Sequence, residues 1–531
     1  MPRRFPQWLI VAVAFAIPVG FALYANHAWE DYYITLRSSR NLVEGRGLVY
    51  NAGDHLHTFT SPLGVLVPAL CTWLAGPDRE QVALWIFRIF NAGMLAAAAA
   101  LLWRRCQVLG LGWLGRLVLF GLLLADPKLM DFATNGQETA MLVFFVVLLW
   151  SELEAPDGPR AGPLAAAFGG LMWTRPDAFV LAGAIVLPHL LLRARGDGSR
   201  SIAWASLVRG GLLGGLVYVP WFAWAWWYYG SPVPHTIIAK AADMASPDLM
   251  SLVLLPLTLL GGDSHLDGIF LPSYWQLGGW PAGMVNGGHA LAVLAAFTWF
   301  FPRVSFAGRR ASLALFLGAI YLCAIHVYPW YLPAWTTLAC LALAFAADCA
   351  WSRTATTSPR WFRPALVAAC AVALAGQVAL LGCVAWQARV QQRVIEEGGR
   401  RAIGEWLRVN ATPGDTVFLE PLGYIGYFSR LKTYDFPGLS SREVVTTIRQ
   451  GARTYLDIIG RLKPDWVILR AAEIQQQHIT ESEMRAHYRA VKVVDRLPEL
   501  QAIPFLPGRP WLEYDSRFVV FERLRGPEAT P

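Results

Sequence analysis

The chain is predicted to be a polytopic α-helical membrane protein, with about eleven transmembrane helices and a C-terminal soluble α/β domain. Three observations point there. Of its 531 residues 55% are hydrophobic and only 15% charged, with a mean hydropathy of +0.39, whereas soluble domains carry about 25% charged residues. Apolar runs near 20 residues, the length that crosses a hydrocarbon core, recur along the first three quarters. After Trp386 the composition turns mixed and the runs stop.

The first run, "FPQWLIVAVAFAIPVGFALYA", follows Arg3 and Arg4 as a signal peptide would. It is longer than a typical h-region and no small-residue cleavage site precedes "NHAWED", so a retained first helix is expected. Arginine clusters then set the sides, because cytoplasmic loops hold the excess of basic residues. The clusters are Arg3/Arg4, Arg104/Arg105, Arg193/Arg195/Arg200, Arg303/Arg309/Arg310 and Arg353/Arg360/Arg363. With all of them inside, helices fall near 8–25, 82–103, 111–125, 137–151, 161–174, 176–193, 207–229, 286–301, 311–327, 331–350 and 365–387. The N-terminus is then cytoplasmic and the C-terminal domain extracytoplasmic, in the cytoplasmic membrane. The runs 62–76 and 250–260 are too short to span and are expected to lie at the outer interface.

The outer face collects the loops with chemical content: 26–80, 126–137, the turn "TRPD", 229–285 and "YPWYLP". Residues 1–387 thus form a membrane domain with polar outer loops, and 388–531 a separate domain. In the latter, "VQQRVIEEGGRRAIGEWLRVN" has helical periodicity, while "DTVFLE", "PDWVILR" and "RFVVFERL" read as strands. "GYIGYF" lacks the lysine and hydroxyl of a phosphate loop. All seven cysteines lie in or beside apolar segments and read as buried small side chains. The net charge of +8 comes from arginine, which outnumbers lysine about eight to one. No basic stripe interleaved with aromatics occurs in the tail, so nucleic acid is not an expected partner.

Glu30 and Asp31 form an acidic pair just past the first helix. One reading is a solvated interfacial pair balanced by Arg37 or Arg40. The other is a general base or metal ligand at headgroup level, held by the aromatic belt of Tyr32 and Tyr33. Lys240 follows His235 by five residues, and only it and Lys128 precede the tail among five lysines. A compact ammonium suits a phosphate, and a snorkelling interfacial lysine suits the position equally. Arg175 and Asp177 in "WTRPDAF" interrupt an apolar stretch. Charges there face a cavity or each other. Arg88 in "WIFRIF" and Glu138 in "NGQETA" add to this set, and together these residues suggest a polar cavity for an anion. His55 and His57 in "DHLH" lack a third ligand at defined spacing and read as loop residues rather than a metal site.

With these segments in hand, the chain resembles the GT-C superfamily of membrane glycosyltransferases that use polyprenyl-phosphate sugars. The likeness is to the branch containing cell-wall arabinofuranosyltransferases, with protein O-mannosyltransferases more distant. "EDYYITLRSSRNLVEGRGLVYNAG", "TSPL" from Thr60, "GQETA" from Gly136, "RPD" from Arg175, "PHTIIAK" and "GYIGYFSRLKTYDFPGLSS" match that branch's motifs in order. Glu30 stands where Asp is usual, His235 replaces an Asn, and "DHLHTFTSPL" lacks the acidic–Gly pair.

The resemblance implies an inverting transferase. It would move a sugar, with arabinofuranose the candidate, from a polyprenyl-phosphate donor to a hydroxyl of a glycan, glycolipid or secreted protein. It assigns the base to Asp31, with Glu30 orienting the acceptor or holding a cation. Lys240, His235 and Arg175 would hold the donor phosphate, and Arg37, Glu138 and Asp177 would shape the sugar site. Some relatives use a divalent cation; no ligand set in this sequence forces one. A transporter or flippase of lipid-linked sugars would want the same cavity, but internal repeats and broken midplane helices are not evident. A noncatalytic scaffold leaves the one-sided clustering of polar loops unexplained.

Overall fold

The computed structural model describes residues 7–192, 204–243, 250, 253–254, 257, 265–323, 328–353 and 359–524. In chain order the helices are α1 (Gln7–Ala25), α2 (Glu30–Val43), α3 (Pro62–Ala75), α4 (Glu80–Val108), α5 (Trp113–Leu124), α6 (Pro127–Thr134), α7 (Thr139–Leu153), α8 (Ala161–Thr174), α9 (Ala178–Leu191), α10 (Trp204–Tyr229), α11 (His235–Asp243), α12 (Ala282–Phe297), α13 (Phe306–Cys323), α14 (Leu332–Arg353) and α15 (Phe362–Val390). Among the described residues, the apolar stretches expected to cross the membrane are largely helical. Among the described residues five segments are long and apolar enough to cross a membrane, or six if the bent pair α6–α7 counts as one. Eleven crossings are not reached on these measures. Helix α5 has 12 residues and α9 has 14, which at 1.5 Å per residue fall short of a ~30 Å hydrocarbon core. The helix expected over 250–260 lies largely outside the described residues.

Close van der Waals packing holds the bundle together, and small residues set how closely its helices approach. On α10, Gly210 and Gly214 lie against α8, where an added Cβ would come within 2.5 Å of Leu164 Cβ and 2.7 Å of Phe168 Cβ. Helix α3 covers the short apolar run 62–76 and is opened by the Ser61 side chain, which accepts from the Gly64 N–H at 2.8 Å. Cys71, Cys106 and Cys340 are buried free thiols, and Cys349, Cys370 and Cys383 are half-buried ones.

Helix α15 does not stop at the expected boundary near 387. It continues as a π-wound segment, Gln391–Arg401, and then as α16 (Ala402–Asn410), a run of 49 residues in all. The sheet follows, in the order β2-β1-β3-β5-β4. Strands β1 (Thr416–Leu419), β2 (Lys432–Asp435) and β3 (Trp466–Arg470) run parallel, while β4 (Tyr488–Asp495) and β5 (Arg517–Arg523) close the far edge antiparallel. Strand β3 is buried along its whole length, as expected for a strand covered on both faces.

Helix α17 (Leu422–Ser429) connects β1 to β2 and docks the tail on α2. Tyr33 packs against Tyr424 at 4.2 Å and Tyr427 at 5.1 Å between ring centroids. The Tyr50 hydroxyl donates to the Leu422 carbonyl at 2.7 Å.

Candidate active site

The site is built around the first turn of α2. Beyond α1 the chain reverses at Asn26, whose φ of 47° is left-handed. Arg88 locks that reversal: its guanidinium donates to the carbonyls of Thr134 (2.7 Å) and His27 (2.6 Å) and to Asn26 Oδ1 (2.8 Å). This buried arginine is therefore a strut with its donors spent, not the anion ligand its charge suggested. Lys128 is spent likewise on the carbonyls of Gly268 (2.6 Å), Ile269 (3.0 Å) and Leu271.

The break between α6 and α7, a bend of 119°, supplies the floor. There the Trp29 N–H donates to the Asn135 carbonyl at 2.8 Å. Gly136 takes φ of 103°, and an added Cβ would lie 2.3 Å from the Tyr32 ring. Only glycine meets both demands. The break leaves Glu138 at the start of α7, where it accepts from Arg175 at 3.3 Å. Arg175 also donates to Asp177 at 3.2 Å and lies over the Tyr331 ring at 4.2 Å, and the Tyr321 hydroxyl donates to Asp177 at 3.1 Å. Glu138, Arg175 and Asp177 thus form one ion-paired wall.

Asp31 and Lys240 face this wall and differ from it. Among the described residues the half-buried Asp31 carboxylate takes no hydrogen bond and no salt bridge. Burial pushes its carboxyl up to about 6; Lys240 is the strongest cation opposing that shift, and Glu420 and Glu138 add to it. Lys240 sits over the Tyr328 ring at 4.3 Å. Burial pulls its ammonium down and Asp31 pushes it back up. A half-accessible carboxylate near neutrality opposite a loosely held ammonium is equipped to take a proton and hold an anion.

Three expected site residues face elsewhere. Glu30, adjacent in sequence, points into the tail: Oε1 accepts from the Gly423 N–H at 2.5 Å and Oε2 pairs with Arg400 at 3.1 Å. Burial raises its carboxyl and Arg400 opposes that. Arg37 donates to the carbonyls of Gly426 (2.6 Å) and Leu431 (2.8 Å) and lies over the Tyr50 ring at 4.3 Å. His235 turns toward the Gly438–Ser441 loop beside Arg442, and its N–H meets the His57 carbonyl at 2.8 Å. The structure brings Asp31, Lys240, Arg175, Glu138 and Asp177 together, and sets Glu30, Arg37 and His235 against the tail.

His57 stacks flat on Tyr229 at 4.6 Å, and burial pushes its imidazole down to about 3. Among the described residues no group of three or more His, Cys, Asp or Glu side chains could hold a metal ion, so no step is assigned to a protein-held cation.

Glu420 and Tyr274 also lie within electrostatic reach of Asp31, and Trp511 stacks on Tyr274 at 3.8 Å; the motif reading passed over all three. The Tyr274 hydroxyl has Asp31, Tyr328, Asp515 and Glu420 as its ionisable neighbours. The signal available was position: Glu420 directly follows a strand, where open α/β sheets place their ligand groups.

Residues 386–519 match the model of a domain of unknown function (DUF8728). The chain is 32% identical over 260 residues to the terminal β-(1→2)-arabinofuranosyltransferase of Mycobacterium tuberculosis, covering 45% of this chain and 39% of that one. It is 28% identical over 271 residues to the protein of the same name from Corynebacterium glutamicum, covering 45% and 37%. It thus spans about two fifths of the length of the curated relatives it matches. Among solved structures it is similar to ArnT from Cupriavidus metallidurans bound to undecaprenyl phosphate. That match has a TM-score of 0.54 at 15% identity and covers 98% of this chain and 99% of that one. It is also similar to the arabinofuranosyltransferase AftD from Mycobacteria, at a TM-score of 0.53 and 14% identity over 97% of this chain and 40% of that one. Both neighbours are GT-C glycosyltransferases. The chain therefore has the GT-C glycosyltransferase fold and is similar in sequence to arabinofuranosyltransferases.

Proposed function

We propose that the chain is an inverting glycosyltransferase. It moves arabinofuranose from a polyprenyl-phosphate donor to a hydroxyl of an envelope glycan, glycolipid or secreted protein. The observation that carries this reading is Asp31 and Lys240, each the leading countercharge of the other: among the described residues the carboxylate takes no bond and the ammonium rests on the Tyr328 ring. Asp31 takes the proton of the acceptor hydroxyl as the oxygen forms its bond to the anomeric carbon. The bond from that carbon to the phosphate oxygen breaks, and the electron pair leaves on polyprenyl phosphate. Lys240 meets the charge growing there; no general acid is needed, because phosphate is already a good leaving group. Arg175 stands behind it, its charge shared with Glu138 and Asp177. Attack opposite the phosphate inverts the anomeric centre.

The names of the arabinofuranosyltransferases similar to this chain support the choice of sugar, and the arginine clusters support the sidedness. The cleft then opens on the outer face of the cytoplasmic membrane, with the N-terminus inside, residues 388–531 outside and eleven crossings. The test is purified protein with polyprenyl-phosphate arabinofuranose and an arabinofuranosyl oligosaccharide. Sugar transfer matched one to one by released polyprenyl phosphate is the expected result. No release from this donor or from polyprenyl-phosphate hexoses would overturn the reading, and a transporter would leave the donor intact. Repeating transfer after EDTA treatment tests a cation requirement. A periplasmic-activity reporter fused after Pro531 tests the sidedness.

A further inference from the structure

We infer that the segment before α12 and the tail together supply the acceptor subsite: the stacked pair of Tyr274 and Trp511 offers its outward aromatic face to a sugar ring, and Glu420 binds one of its hydroxyls beside Asp31. This deepens the transferase reading and rests on it.

Sheet topology is the first support. In the order β2-β1-β3 the chain leaves β1 to one side and returns to pair on the other, so the crevice outside the carboxyl ends of β1 and β3 is a topological switch point. Ligands of open α/β sheets bind in that crevice. Glu420 follows the last residue of β1, Arg470 ends β3, and the two side chains pair across the gap. Arg470 is itself held by Glu473 at 2.7 Å and Asp515 at 2.5 Å, which fixes the Glu420 carboxylate while leaving it 40% exposed.

This crevice faces the reacting groups. Three residues after Glu420, Gly423 lies so close to α2 that an added Cβ would stand 2.0 Å from the Glu30 carbonyl oxygen. The turn from Glu420 to Gly423 therefore has no slack relative to Asp31, and Glu420 is the strongest anion acting on Asp31.

The aromatic platform is independent of these charges. Tyr274 and Trp511 stack at 3.8 Å with 13° between their planes, and both are half-buried. Trp29, buried beneath, lies nearly parallel at 6.2 and 6.5 Å. Tyr274 is held at φ 55°, a conformation that costs a non-glycine residue energy and persists where the surroundings impose it.

A flat aromatic surface next to an acceptor-only carboxylate suits a polyhydroxylated ring, whose C–H face stacks while its O–H groups donate. Glu420 and Asp31 on this side repel a phosphate, which belongs with Lys240 and Arg175 opposite. Donor and acceptor are sorted by charge.

The test uses the full chain, a polyprenyl-phosphate arabinofuranose donor and a synthetic arabinofuranosyl oligosaccharide. Trp511→Ala and Glu420→Gln are each expected to raise the acceptor KM tenfold or more, with the donor KM within twofold of wild type. Trp511→Phe, which keeps a platform, should restore most of the loss. An acceptor KM unchanged in both variants would overturn the inference, as would a donor KM that rises alongside it in a variant of unchanged melting temperature. A wild-type protein that releases no polyprenyl phosphate contradicts the transferase reading instead, so the two failures are distinguishable.

Discussion

The two ends of α7 carry similar charges and use them differently. At its C-terminal end, Glu154 accepts from His189 at 2.9 Å and Arg310 at 3.0 Å, and Glu152 accepts from Arg160 at 2.7, 2.9 and 3.1 Å. These carboxylates are saturated. At its N-terminal end, Glu138 is paired with Arg175, yet Asp31 and Lys240 beside it have no such partner among the described residues. Burying a charge without a partner is costly, and on the proposed reading the polyprenyl-phosphate donor and the acceptor supply the missing partners at the open end. Saturation marks scaffold, and the unsaturated pair marks chemistry.

The largest way to break this contrast is Asp31→Asn. Loss of a general base typically costs 10²–10⁴-fold, so turnover should fall by roughly that factor with the melting temperature unchanged. The opposite end should behave in reverse. Arg310→Ala strips a partner from buried Glu154, and breaking a buried pair costs roughly 3–5 kcal/mol. Thermal melts should show that loss while the folded fraction keeps its turnover.

Gly136→Ala joins the two behaviours, because its Cβ meets the Tyr32 ring at a backbone angle alanine resists. Destabilisation within roughly 0.5–3 kcal/mol and a lower kcat through displaced α2 are expected. The smallest effect is electrostatic: Glu420→Gln removes an anion that raises Asp31, so the acid limb of activity should move to lower pH.

What the sequence made legible follows the range of the forces involved. Helices set by apolar composition could be read to within about five residues, and to the residue at Ala161–Thr174. Helix α2 could not be read as one, since "EDYYITLRSSRNLV" is too polar to insert and is helical because the tail and α3 pack on it. The same distance hid the fates of Glu30 and Arg37, whose partners Gly423, Gly426 and Leu431 lie nearly 400 residues away. Lys240 and the acidic pair could be singled out because each is odd where it stands, while the choice of Asp31 over Glu30 came from the resemblance. Tyr274, Glu420 and Trp511 become site residues only once the tail is folded onto the bundle.

The central claim is that Asp31 is the base and Lys240 the cation beside it. It is tested most directly by the pH dependence of kcat/KM in wild type and Lys240→Met. A base works ionised, and burial places Asp31 at about 6. Activity should therefore rise with pH through about 6, falling tenfold per unit below it. Lys240 holds that value down, against Glu420 and Glu138 pushing it up and with Arg400 as a weaker ally. Its removal should shift the acid limb of the remaining activity to higher pH. An acid limb near the ordinary carboxylate range of about 4, or one that stays in place in Lys240→Met, would contradict the account.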